Sequence, residues 1–425
     1  HEDPPTALDR RRSHLKFSDS DSAVLNAETL NSRGDNISSQ ELEDIELKSI
    51  ASSNLTTHEL LHYKNPTTYK EAMKRPDAAD WKKAVDSEMQ QMIDFEVMEP
   101  IRTLPNNVKA IGSKLVFKLK LSDAGGYPVI DKYKGRLVGL GYQEKYGIDY
   151  TENFSPTPQI ASIRLLFSLI LQNGWGKYHC DVKGAFLNAK LKDSIYLKLP
   201  DGFDINGCQY VKLHKSLYGL KQAARDWYDT NYATLLKCDS RIKRSKIDPC
   251  MFYIDEPDLQ MMMICHVDDY IIGCSDNKWF ENFLKTYNSH FTMNYLGKPE
   301  QFLGMRINWD DKKETMEFTQ QKRINEMLDN YNMNAMKKMY KTPMESKFKA
   351  DKGDPENLPN VPYRKLLGEL YWISRTSRPD ISVAVNILSH YQNCYTDETW
   401  KALRRVLGYL KYTAHYKFDL QEIHH

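Results

Sequence analysis

The sequence predicts an α+β fold, in which β-hairpins build antiparallel sheet and helices flank it. Three observations carry this prediction. Met261–Cys265 and Tyr270–Cys274 are apolar runs without helical periodicity, and two such runs around a short polar centre read as a hairpin. KLVFKLKL and VIDKYKGRLVGLGY, joined by Asp123-Ala-Gly-Gly126, read as a second hairpin. From residue 319 onward, four segments instead repeat apolar residues at i, i+3 and i+4, the spacing of one helix face.

A chain of 425 residues exceeds one typical domain, so two or three packed units are expected. Charge divides unevenly. Residues 1–60 hold twelve acids and six bases, which leaves 45 acids and 53 bases for the rest. The acidic, Ser- and Asn-rich lead-in cannot bury enough apolar area to offset its ordering entropy, and disorder is expected there. A mildly basic body permits a nucleic-acid partner without requiring one. The seven cysteines lack the spacing of a zinc site and read as reduced thiols. No apolar run reaches membrane-spanning length and no signal-peptide core opens the chain, so a soluble intracellular protein with no membrane partner is expected.

Taken in order, Thr67/Thr68 precede the helical stretch YKEAM, and DAADWKKAVDSEMQQMI follows with Trp81, Val85, Met89 and Met92 on one face. The next hairpin is lined by Lys118, Lys120, Lys132, Lys134 and Arg136; these cations suit either a solvated sheet edge or phosphate contact. Ser162–Gln172 reads as a buried helix. GWGKYHCDVKGAFLNAKL and SIYLKLPDGF read as strand, turn and strand, and VKLHKSLYGL as a loop before a long helix striped by Trp227, Tyr228, Tyr232 and Leu235. Beyond the Asp268-Asp269 hairpin come a helix, WFENFLKTYNSHF, and a strand pair, QFLGMRINWD and TMEFTQ. The last helix buries Leu403, Val406, Leu407 and Leu410 and leaves Lys401, Arg404, Arg405 and Lys411 outside, either solvated or gripping a nucleic-acid backbone.

Three acids carry the chemistry. Asp268 and Asp269 stand side by side in the turn Val267-Asp268-Asp269, which lacks the glycine that hairpin turns favour. Adjacent carboxylates repel and are costly to desolvate unless a cation lies between them, and Mg²⁺ is the natural candidate. An ordinary turn with two solvated acids is the plain alternative. Asp181 ends the apolar strand YHCDV. If the two strands are neighbours, three carboxylates meet and suit two ions roughly 3.5–4 Å apart, as in-line phosphoryl transfer requires. Gly219, Lys221 and Arg225 at a helix entrance suit phosphates, and Phe186 suits a wall facing a sugar. Together these describe a template-directed nucleotidyl transferase better than a hydrolase.

The sequence also resembles the reverse transcriptase of copia-type LTR retrotransposons, from Tyr63 to Tyr416. The motifs are YKEAMKRPDAADWKKAVDSE, LVFKLK, YKGRLVGLGYQEKYGIDYTENFSP, DVKGAFLNAKL, KSLYGLKQAARDWY, HVDD, LGKPEQFLGMRI, PYRKLLGELYWISRTSRPDI and TWKALRRVLGYLKYT, in the family's order. The resemblance implies a right-hand polymerase fold. Its fingers and the start of the palm would span 61–175, the palm with its antiparallel sheet 176–310, and a helical thumb or connection 311–425. It implies two Mg²⁺ (or Mn²⁺) ions on Asp181, Asp268 and Asp269, with Phe186 excluding a 2′-hydroxyl. It places Lys134, Arg136, Tyr218, Gly219, Lys221 and Gln222 at the nucleotide, and His266, Phe302, Leu303, Gly304, Arg404 and Arg405 at primer or template. RNA template, DNA primer and product, and dNTPs are the implied partners, with a homodimer or association with other Pol products beside them. The cytoplasm, in virus-like particles, is the implied location, with the nucleus as a second one.

Several positions depart from that family. His266 stands in place of Tyr, Gly184, Ala189 and Ala224 where Thr, Gly and Pro are common, and Leu115 and Val97 where Trp is expected. Asn294 occupies a lysine position. The chain is expected to end before an RNase H domain, and so to polymerise without degrading RNA. Two alternatives follow: an inactive or domesticated relic that binds RNA or primer–template without copying it, and a two-metal phosphodiester-cleaving enzyme.

Overall fold

The computed structural model describes residues 64–123 and 128–421. The acidic lead-in and the Gly-rich turn at 124–127 lie outside the described residues. The chain forms two compact units, one of residues 64–162 and 176–297, the other of 163–175 and 298–421.

The first unit opens with one helical turn, Tyr69–Ala72, capped by Thr68 as expected, and continues with helix α1 (Ala78–Asp94), which buries Trp81, Val85 and Met92. Strand β1 (Met98–Ile101) follows, then the long hairpin β2 (Ser113–Asp123) and β3 (Pro128–Gly139). Leu115, Phe117, Leu119 and Leu137 alternate toward the core, with Phe117 and Tyr133 edge-on to Trp81, so the lysines fall on the opposite face. Helix α2 (Ile160–Gln172) enters the second unit after its first residues.

Strand β4 (Gly176–Val182), β5 (Lys190–Lys198), β6 (Tyr210–Lys215), helix α3 (Ala223–Cys238), β7 (Lys243–Arg244), β8 (Met251–Glu256), β9 (Leu259–His266), β10 (Asp269–Cys274), α4 (Asn277–Asn288) and β11 (Met293–Gly297) complete the unit. Its main sheet is antiparallel in the order β11-β4-β10-β9-β8-β7, and a smaller sheet runs β1-β6-β5. Strands β9 and β10 are buried on both faces, which explains why their sequences read as continuous apolar runs. The expected loop at VKLHK is strand β6, with Val211 and Leu213 inward.

In the second unit, β12 (Gln301–Phe302), β13 (Met305–Asp310), β14 (Thr315–Thr319) and β15 (Phe418–Gln421) form one antiparallel sheet. Four helices follow the expected segments: α5 (Gln321–Asn330), α6 (Tyr363–Thr376), α7 (Ser382–Ser389) and α8 (Asp397–Tyr412). A capping box at Thr396 and Thr399 starts α8, and Leu403, Val406, Leu407 and Leu410 are fully buried as its spacing required. Arg378 was not foreseen as a core residue. It is almost wholly buried, paired with Asp380 at 2.8 Å and donating to the Thr413 carbonyl at 2.7 Å, as a buried cation must be. All seven cysteines are free thiols, and no described helix is long and apolar enough to cross a membrane.

Candidate active site

The site begins with a strained turn. His266 pairs with Asp269 across β9 and β10, so only Val267 and Asp268 form the turn, and Asp269 already belongs to β10. Val267 takes a φ of 59°, a left-handed conformation that a β-branched side chain rarely adopts. Such strain costs on the order of 1–3 kcal/mol and persists where neighbours over-determine it. Here the Val267 carbonyl accepts hydrogen bonds from Trp227 Nε1 at 2.7 Å and from the Cys265 thiol at 3.5 Å. The Asp268 carbonyl accepts from the Val182 amide at 2.8 Å, which ties the turn to β4 as well.

Register then gathers the acids. Asp269 lies directly opposite Asp181 in the β10–β4 pair, and Asn294 of β11 lies opposite Asp181 on its other side. Three carboxylates from two separate stretches therefore share one end of the sheet. Burial pushes the Asp268 carboxyl up to about 7, and the charges of Asp181 and Asp269 add to the rise. Arg136 acts against it. Asp269 is engaged by His179, whose Nε2 lies 2.5 Å from its Oδ1. His179 sits two residues before Asp181, on the same face of β4. Burial lowers the His266 pKa, and its Nδ1 is enclosed without a partner.

Among the described residues, no three His, Cys, Asp or Glu side chains form a ready-made metal cage. Mg²⁺ does not need one, because it is usually held by one or two carboxylates together with waters and substrate phosphates. Asp181 and Asp268 offer hard oxygen donors of that kind, and the crowding of negative charge on Asp268 is what a cation would relieve. The residues fit a divalent ion.

The expected nucleotide residues fall into two groups. Phe186, in a single helical turn that follows Gly184 (φ 63°), packs edge-on to Tyr218 at 5.1 Å between ring centroids. The Arg136 guanidinium lies over the Tyr218 ring, 4.6 Å from its centroid. Lys134 shares the face of β3 with Arg136 by alternation. Gly219 makes the close approach possible: a Cβ there would lie 2.3 Å from the Gly139 carbonyl oxygen, and its φ is 86°. Lys221 and Gln222, by contrast, serve the chain itself. The Lys221 ammonium donates to Tyr150 Oη at 3.1 Å, its amide to Glu144 at 2.9 Å, and Gln222 Nε2 to the Asp149 carbonyl at 3.2 Å.

The remaining candidates lie in the second unit. Leu303 (φ 49°) and Gly304 (φ 73°) form the two-residue turn of the β12–β13 hairpin, beside buried Phe302. Arg404 reaches Met333 Sδ at 3.3 Å, and Arg405 donates to Glu345 at 2.8 Å and Thr342 at 3.1 Å. Both guanidinium groups thus hold a segment of their own chain. Sequence reasoning missed His179 and the bond from Trp227 to the turn. The alternation His179-x-Asp181 could have signalled the first; the second depends on a contact 40 residues away.

Comparison with known proteins identifies the family of the chain. The family model described as "Reverse transcriptase (RNA-dependent DNA polymerase)" matches residues 96–346. The chain is 32% identical over 362 residues to "Retrovirus-related Pol polyprotein from transposon TNT 1-94" of Nicotiana tabacum, covering 83% of this chain and 27% of that one. It is 31% identical over 345 residues to the Pol polyprotein from transposon RE2 of Arabidopsis thaliana, covering 80% and 23%. The chain therefore spans about a quarter of the length of these relatives. A solved structure of a foamy viral protease-reverse transcriptase in complex with double-stranded DNA aligns with a TM-score of 0.39 and 12% identity, over 80% of this chain and 49% of that one. The resemblance to the copia-type elements holds, and the chain belongs to the reverse transcriptase (RNA-dependent DNA polymerase) family.

Proposed function

We propose that this chain copies RNA, and DNA, into DNA by adding dNTPs to a primer 3′-hydroxyl, with two divalent ions at the β4–β10 end of the main sheet. The observation that carries the reading is the register that sets Asp269 opposite Asp181 and leaves Asp268 crowded by both. Asp181 and Asp268 would hold the ions, which when bound supply charge neutralisation to the attacking and leaving oxygens. Asp269, engaged by His179, would orient the edge of the site. Arg136 and Lys134 would face the triphosphate, and the Phe186 ring, backed by Tyr218, would wall off a 2′-hydroxyl. On this reading the first unit supplies fingers and palm, and the helices of the second supply the thumb.

Primer extension on poly(rA)/oligo(dT) with Mg²⁺ or Mn²⁺ tests the proposal. Asp268→Asn combined with Asp269→Asn should reduce incorporation at least 1,000-fold, on the order expected when transition-state charge loses its stabilisation. Equal incorporation by the double variant would overturn it.

A further inference from the structure

We propose that residues 337–352 form an ordered cationic strap that grips the phosphodiester backbone of the nucleic acid being copied. The inference rests on the polymerase reading for the identity of the polyanion, but not for the strap itself. The segment KKMYKTPMESKFKADK holds six lysines, at 337, 338, 341, 347, 349 and 352, against two acids, and all six lysines are exposed. Such a run is ordinarily a solvated coil. This one is pinned along its length.

Met336, Tyr340, Met344 and Phe348, every fourth residue, pack against the core of the second unit. The Lys411 ammonium donates to the carbonyls of Met333, Asn334 and Met336 at 3.3, 2.6 and 2.9 Å. Tyr412 Oη donates to the Lys337 carbonyl at 3.1 Å, and Tyr391 Oη to the Ala350 carbonyl at 3.2 Å. Gly408 leaves room for the strap, since a Cβ there would lie 2.8 Å from the Tyr340 ring. Arg405 occupies the acid Glu345 and lies 4.7 Å from the Tyr340 ring. Among the basic side chains of α8, Arg405 holds the strap and Lys411 the residues that lead into it, and the strap's own lysines are the cations presented outward. An array fixed in this way meets a polyanion without first paying to order itself.

The test is salt-dependent binding of an RNA/DNA heteroduplex to the full chain, read by fluorescence anisotropy. K337E/K338E/K341E should lower the slope of log K against log[salt] by about two to three, close to 0.9 per lost phosphate contact, and weaken binding on the order of 100-fold at 0.1 M salt. K70E/K82E/K83E makes the same charge change on lysines of the first unit that pair with Asp201, Asp86 and Asp80, and should leave the slope in place. Equal loss in both variants, or none in the first, overturns the proposal. So does a strap variant that loses affinity for anionic vesicles while keeping heteroduplex binding. Thermal unfolding of each variant separates misfolding from lost contacts. If the unmodified chain binds heteroduplex through the strap but extends no primer, the polymerase reading fails and the strap stands.

Discussion

Two hairpin turns in this protein are built alike and are held differently. Val267-Asp268 closes β9–β10, and Leu303-Gly304 closes β12–β13; each has two residues, and each puts a bulky apolar side chain at positive φ. At the second turn Gly304 takes the other left-handed position without strain, as two-residue hairpins prefer. At the first, no glycine is present. The turn is held instead by Trp227, Cys265 and the amide of Val182, and the residue that follows the strain is a carboxylate that burial and two like charges push up to about 7. Both turns carry positive-φ strain; the first is in addition clamped from three sides, with charge crowded beside it.

Removing the clamp should have the largest effect on stability. Trp227→Ala deletes a buried indole and the bond to Val267, and should cost about 3–5 kcal/mol in denaturant unfolding. Trp227→Phe keeps most of the volume and should cost about 1 kcal/mol, while slowing primer extension more than that loss of stability accounts for. If both variants extend at the unmodified rate, the clamp has no bearing on the site.

A second buried acid shows whether cost near the site is electrostatic or conformational. Glu88 accepts the Leu137 amide at 3.1 Å under β3, and burial pushes its carboxyl up to about 7, against the hydrogen bond and the charges of Arg136 and Lys134. A raised folded pKa favours the neutral form, so its contribution is full below the ordinary carboxylate pKa and is lost as pH rises through 7. Glu88→Gln keeps the acceptor and should stabilise the protein by about 2–3 kcal/mol at pH 8 while changing little at pH 4.5. A stability difference independent of pH would contradict this.

The smallest effects separate the turns most finely. Val267→Gly and Leu303→Gly each exchange a strained residue for one that accepts positive φ, and each should raise stability by about 1 kcal/mol after glycine's entropic cost. Val267→Gly should also slow extension, because the glycine loosens the aim of Asp268. Faster extension by Val267→Gly would show that the strain positions nothing.

Much of this fold was legible because its periodicities are strong. The hairpins at 113–139 and 259–274 and the helices at 321–330, 363–376 and 397–412 stand where alternation or helical spacing put them. Strand β6 reads as a loop in the sequence because His214 and the lysines around it mask the inward pair Val211 and Leu213. Strands β8 and β15 have no counterpart in the sequence reading, and β11 exposes most of its residues, Tyr295 and Leu296 among them, so no buried alternation marks it. The three acids could be named from local sequence, but their register could not, since the pairing of Asp181 with Asp269 joins stretches 88 residues apart. The turn is one residue shorter than the sequence suggests, because Asp269 already pairs with His266, and it is clamped by Trp227, which spacing alone marks only as core.

The most direct test of the central claim is Mn²⁺ binding to the full chain in the presence of dTTP, followed by the loss of free-ion EPR signal, for Asp181→Asn, Asp268→Asn and Asp269→Asn. The structure predicts at least tenfold weaker binding for the first two and a smaller loss for the third, whose carboxylate is taken up by His179. Undiminished binding in Asp181→Asn or Asp268→Asn, or a loss confined to Asp269→Asn, would contradict the assignment of the metals to the β4–β10 register.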